Sequence, residues 1–315
     1  MALKTELCDL LEIEKPIIQG GMAWVATGEL AAAVSTAGGL GIIGSGNAPA
    51  DVIEKEIEKV RELTDKPFGL NIMLLSPFSD DIIELAIEKK VPVITTGAGN
   101  PGKHVKRFQE AGSKVIPVVP SVALARRMER INVDAVIVEG TEAGGHIGEL
   151  ATMALVPQVV DAVDIPVIAA GGVADGRGLA AVIALGAKGA QIGTRFVCSQ
   201  ECTASVDFKQ AILGARDRDA VVTGRSTGHP VRNLKNKLTK EIDKLESEGA
   251  DPKKIEEIGS GKLRDAVIDG DVKEGSVMAG QISGMVSEIK IVKEIIEEIM
   301  SKAETTIIGS YDLLE

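Results

Sequence analysis

Three histidines punctuate the 315-residue chain, and one of them keeps unusual company. His146 lies in Glu142-Ala143-Gly144-Gly145-His146-Ile147-Gly148, where three glycines free the backbone to fold an imidazole over a ligand. Imidazole exchanges protons near neutral pH, so His146 is the candidate catalytic residue. The plainer alternative is a loop histidine bonded to a backbone carbonyl. His104, at a predicted helix start, reads as solvated, and His229, in Gly228-His229-Pro230, as a turn former. Two glycine-bearing segments, Ala169-Ala170-Gly171-Gly172 and Ile192-Gly193-Thr194-Arg195, would hold a phosphate on their backbone N–H groups or simply turn tightly. Glu139 ends an apolar run with no basic neighbour, so it faces either a ligand's donors or an internal ion pair.

Other chemistries find no residues to carry them. Cys8, Cys198 and Cys202 are too few and scattered for a disulfide framework, and no His-x-x-His, His-Glu-x-x-His or EF-hand spacing suggests a metal. Gly39, Gly41 and Gly44 spell a dinucleotide fingerprint, but they start at a helix end and run through a strand, the reverse of what a pyrophosphate turn needs. They read as a small-residue strand packed closely to its neighbours. The single tyrosine, Tyr311, is near the chain end, so a Tyr-Lys hydride-transfer site of the short-chain dehydrogenase type has no tyrosine to use. A net charge of -11 and 2% aromatic residues argue against nucleic acid and anionic membranes as partners. No apolar run approaches a membrane span, and a cytoplasmic location is expected.

The candidate residues fall at the ends of a repeating unit. Apolar, β-branched runs at 16–19, 40–45, 68–74, 91–97, 114–120, 135–140, 166–172 and 190–197 alternate with helical patterns at 28–37, 50–63, 80–88, 102–111, 123–130, 153–162, 176–185 and 204–213. Strands apolar on both faces belong to a covered parallel sheet. Eight successive β-α units predict an α/β fold, a (βα)8 TIM barrel over residues 1–214, rather than an open doubly wound sheet. Barrel sites lie at the C-terminal ends of the strands, where Gly21, Met22, Asn71, Glu139, Gly171 and Gly193 fall. Beyond 214 charged residues cluster, and polar helices are expected at 232–249 and 251–258, forming an appended helical subdomain over 215–303. Within it, 275–281 is a glycine-bounded loop before an amphipathic helix at 285–303, and 304–315 is expected to be a flexible tail.

Several segments together resemble the flavin-dependent enoyl-acyl-carrier-protein reductase II (FabK-type) family, within the group that contains the nitronate monooxygenases, formerly 2-nitropropane dioxygenases. They are Gln19-Gly20-Gly21-Met22-Ala23-Trp24, Gly69-Leu70-Asn71-Ile72-Met73, Thr95-Thr96-Gly97-Ala98-Gly99-Asn100-Pro101, Glu142-Ala143-Gly144-Gly145-His146, Ala170-Gly171-Gly172, Gln191-Ile192-Gly193-Thr194 and Gly275-Ser276-Val277-Met278-Ala279-Gly280-Gln281. The resemblance implies an FMN-binding barrel that moves hydride from NADH or NADPH to a trans-2-enoyl thioester. It assigns Gly21, Met22 and Ala23 to the flavin ring, Asn71 and Glu139 to its polar edge, and Gly171, Gly172, Gly193 and Thr194 to the phosphate. Met278, Ala279 and Gly280 would approach the ring from the returning loop, and Gly145 would line the cofactor beside catalytic His146. It further implies a homodimer and an acyl carrier protein as partner. Arg225, Arg232, Lys235, Lys237 and Lys240 form the densest basic patch, which would either dock that carrier or remain a solvated helix face.

Overall fold

The apolar runs become strands because each is bounded by turn-forming glycines or prolines and rich in valine and isoleucine. The computed structural model describes residues 3–311 and Leu313. In chain order the strands are β1 (Ile17–Gln19), β2 (Gly41–Gly44), β3 (Phe68–Met73), β4 (Val93–Gly97), β5 (Lys114–Val119), β6 (Val136–Glu139), β7 (Gly145–His146), β8 (Val167–Ala170), β9 (Gly189–Ile192), β10 (Ala220–Thr223) and β11 (Val231–Leu234). Eight of them form one parallel sheet in the order β1-β9-β8-β6-β5-β4-β3-β2. Its two ends meet at Leu40, whose N–H donates to Ile17 O and whose carbonyl accepts from Gln19 N, both at 2.9 Å. The sheet thereby closes into the expected TIM barrel.

Burial follows the pleat. One set of side chains, including Ile18, Ile42, Val93, Ile116, Ile137 and Ile168, fills the barrel interior. The alternate set faces the helices, and Ile53, Ile57 and Val60 of the helix Ala50–Leu63 show the matching helical stripe. A helix absent from the sequence reading, Glu6–Leu11, joins the interior cluster through Leu7, Cys8 and Leu11. Leu7 lies beside Gly189, the first residue of β9, so this helix stoppers the N-terminal end of the barrel. The opposite end is left for the site.

The fingerprint-like glycines are packing devices, as expected. A Cβ on Gly41 would stand 1.9 Å from Ala31 O, and one on Gly44 would stand 2.5 Å from Met22 O. Pro101-Gly102 precedes a turn instead of opening a helix directly: the helix runs Val105–Glu110, with His104 N and Val105 N both donating to Pro101 O.

The region after 214 departs furthest from expectation. It carries two strands, because Ala220-Val-Val-Thr223 and Val231-Arg-Asn-Leu234 pair antiparallel, and β11 also pairs antiparallel with β7. The helix expected over 232–249 starts only at Lys237, since Asn236 caps it reciprocally with Thr239 and ends the strand before it. Helices Pro252–Gly259 and Lys262–Val267 follow. The last helix is Val292–Tyr311 rather than 285–303, preceded by a single 3-10 turn, Gln281–Met285. Val292, Ile295, Ile296 and Ile299 enter the same core cluster as Ile17 and Ala190, so this helix completes the barrel's outer layer. Gly176 lets it approach, because a Cβ there would lie 2.3 Å from Ala303 N. Residues 304–311 are its final turns and not a tail; 312, 314 and 315 lie outside the described residues. Among the described residues no helix is long and apolar enough to cross a membrane.

Candidate active site

Side chains alternate along a strand, so the residue two beyond an interior one also points inward. By that rule Thr95 follows Val93, Glu139 follows Ile137, Asn71 follows Gly69 and Gln191 follows Gly189, and four polar groups converge on the barrel mouth. Thr95 Oγ1 donates to Asn71 Oδ1 at 2.9 Å. The sequence points to Asn71 and Glu139 as site residues and to Thr95 as a strand end without an assigned role; Gln191 stands only in a motif segment, although its place in the alternation marks it as well.

The loop after β1 crosses this mouth closely enough to require glycine at position 21. A Cβ on Gly21 would fall 2.2 Å from Asn71 Cβ, and one on Gly20 would lie 3.5 Å from Gln191 Cγ. Met22 continues toward β9, its Sδ 3.3 Å from where a Gly193 Cβ would be, and Ala23 abuts Gly46. Gly21, Met22 and Ala23 thus form a wall over Asn71 and Gln191.

Two turns on the β8–β9 side present amides. Gly171 and Gly172 both take positive φ, 90° and 75°, a conformation that few residues other than glycine adopt. Among the described residues the N–H groups of Gly172, Gly193 and Thr194 have no acceptor. Thr194 Oγ1 accepts from Gly280 N at 2.9 Å, which ties the returning loop 275–281 to the end of β9.

His146 is held in β7, opposite Val231 of β11. Ile147 N donates to Pro230 O at 3.1 Å, extending the pairing past the strand. Gly145, φ 79°, is buried and opposes Arg232; Met278 Sδ lies 3.5 Å from its Cβ direction. Ala279 is 1% exposed and Gly280 packs on Glu142 O, so these two meet the histidine's loop through backbone, and the side chain of Ala279 belongs to the core.

Two titratable groups are displaced from their ordinary values. Glu139 is half-buried at the barrel mouth and has no hydrogen-bond partner among the described residues; desolvation alone pushes its carboxyl up to about 7. His146 is lowered from 6.5, first by burial and then by the charge of His229. The residue itself remains exposed to solvent. At neutral pH it is the neutral imidazole, with one N–H to donate. His229 therefore bears on the site besides shaping its turn. His104 is not solvated: it is 8% exposed, packs its ring 6.4 Å from Phe108, and burial lowers its pKa. The cysteines are free and buried, with the Cys198 thiol pushed up to about 11 by burial.

The basic patch is smaller than its sequence suggested. Arg232 is 5% exposed and spends its guanidinium on Thr141 O and Ala220 O, while Lys237 pairs with Glu274 at 2.6 Å. Strand β11 turned Arg232 inward, which a helix reading could not anticipate.

Known proteins share the sequence and fold that build this mouth. The family model described as nitronate monooxygenase matches residues 4–302. The chain belongs to the nitronate monooxygenase family. Members of this oxidoreductase family resemble it along its whole length. The structure of FabK from Thermotoga maritima is 52% identical, covers 99% of both chains and superposes with a TM-score of 0.96. A probable nitronate monooxygenase from Staphylococcus saprophyticus is 35% identical over 92% of this chain and 95% of its own. An octahydro-1H-indene-4-carboxyl-CoA dehydrogenase from Mycobacterium tuberculosis is 34% identical over 100% of both.

Proposed function

We propose that this family member is an FMN-dependent enoyl-acyl-carrier-protein reductase, taking hydride from NADH or NADPH in the last reductive step of fatty-acid elongation. The observation that carries this reading is the meeting, on one rim, of the Gly171-Gly172 and Gly193-Thr194 turns, the returning loop and His146. Likeness to FabK over the full chain supports it.

The residues fit FMN. Unpaired amides at Gly172, Gly193 and Thr194 suit a phosphate, and Gly21, which has no room for a side chain against Asn71, lets bare main chain line the mouth. Asn71, Glu139 and Gln191 would meet the polar edge of the ring or its ribityl chain. When bound, FMN would supply two-electron transfer between the nicotinamide and the acceptor.

The protein's own part is orientation and charge stabilisation. As an enoyl thioester gains hydride at its β-carbon, negative charge develops on the thioester oxygen and the α-carbon. His146 donates its N–H to that charge, and the α-carbon then takes a proton. A neutral imidazole suits the polarising role better than that of a standing cation. An acyl carrier protein as partner, a homodimer and a cytoplasmic location belong to the same proposal, with Arg225, Lys235 and Lys240 the cations left free for docking.

A second reading, nitronate monooxygenase, is favoured by the family model and by the staphylococcal relative. Anaerobic mixing separates the two. Yellow protein bleached by NADH should recover its colour with crotonyl thioester and not with a nitronate. Failure of crotonyl thioester to restore the colour, with oxidised protein bleached anaerobically by a nitronate instead, or colourless protein that takes up no FMN, overturns the reductase.

A further inference from the structure

Glu142 sits four residues before His146, outside the barrel and without a role in the site as described above. Its carboxylate accepts from Thr152 N, 3.0 Å to each oxygen, and lies 2.9 Å from Thr152 Oγ1, whose one proton is then free to go to a carbonyl of the turn. The helix Thr152–Val160 needs such a partner, because its N-cap is Ala151, which has no side-chain acceptor. An anion is also favoured at a helix N-terminus. The pair reaches further than a cap. Thr152 is 6% exposed, and its Oγ1 lies 3.1 Å from Gly171 O and 3.3 Å from Ala170 O, at the phosphate turn itself.

Gly140 and Gly171 make room for this arrangement, and Gly172 lies alongside it. A Cβ on Gly140 would stand 2.1 Å from Thr152 Oγ1 and 2.6 Å from Glu142 Oε2. One on Gly171 would stand 3.2 Å from Thr152 Oγ1, and one on Gly172 would lie 3.6 Å from the Glu142 side chain. The main chain around Glu142 is fastened as well. Glu142 O accepts from Gln281 N at 2.9 Å, and Thr141 O accepts from buried Arg232 through Nε at 3.1 Å and Nη2 at 2.9 Å.

We propose that Glu142 is a positioning residue for His146, locking the histidine's loop to the phosphate turn through Thr152 while Arg232 locks it to β11. The inference rests on His146 acting in the proposed reduction. A cap that served stability alone would lower Tm and leave the histidine's behaviour untouched.

The test uses the FMN-loaded full chain with Glu142→Gln, with Thr152→Val as a shape-conserving second variant should the first fold poorly, and each again on a His146→Ala background. Expected are retained flavin, unchanged reduction by NADH, and reoxidation by crotonyl thioester slowed roughly 10²-fold, the scale of a misplaced group. On the His146→Ala background the same change should slow it no further. The NMR titration of the His146 imidazole, identified by its loss in His146→Ala, should move. Unchanged imidazole titration together with unchanged reoxidation overturns the proposal, as does a fully additive loss in the double variant. Should crotonyl thioester fail to reoxidise even the unaltered enzyme, the reductase reading fails instead, and the imidazole titration still decides the positioning claim.

Discussion

Asn71, Thr95, Glu139 and Gln191 are fixed by the strands that carry them, whereas His146 is fixed by a strand borrowed from residues 231–234. In the first region the parallel ladder sets spacing, inward direction and depth together, so polar groups reach the mouth wherever the strand's register puts them. In the second, a two-residue strand has no such support, and antiparallel pairing, the Arg232 guanidinium and the Glu142–Thr152 contact supply it. The ladder builds a rigid floor for binding. The clamp presents one adjustable side chain above it.

If that division is right, the two regions should fail differently. His146→Ala should lower enoyl reduction by roughly 10²–10⁴-fold while FMN stays bound, as steady-state turnover and flavin absorbance would show. Unchanged turnover would remove the clamp from the chemistry. On the floor, Glu139 should report through stability. Its carboxyl is raised from 4.5 to about 7, so the flavin-free fold is fully stable with respect to this group below pH 4.5 and loses stability as pH rises through 7. Glu139→Gln should therefore leave the melting of flavin-free protein unchanged near pH 4.5 and stabilise it at pH 8 by at most roughly 3 kcal/mol. An equal gain at both pH values would mean that burial of the charge is not the cause. The smallest effect belongs to the rim. Lys235→Glu should raise KM for a carrier-borne enoyl substrate by roughly fivefold at most, the worth of one exposed ion pair, and leave a small thioester unaffected. Equal KM values in low salt would return that patch to the solvent.

Legibility followed the same boundary. Gly21, Asn71, Glu139, Gly171 and Gly193 could be found because each ends a run of apolar residues, and the barrel rule says that such ends matter. Ala220–Thr223 and Val231–Leu234 escaped because four-residue strands beside charged segments carry little periodicity, and Arg232 in their midst looked like a surface cation. The helix Glu6–Leu11 escaped for want of length, six residues whose apolar positions make sense only against the barrel floor.

What the sequence determined by itself was the repeating strand-helix order and the chemistry at its joints, since both depend on local pattern and residue type. The partner of β7, the direction of Arg232, the link from Glu142 to the Gly171-Gly172 turn and the displaced pKa values of Glu139 and His146 were decided only by tertiary structure. Each depends on groups far apart in the chain, and on a desolvation that exists only once the fold has brought them together.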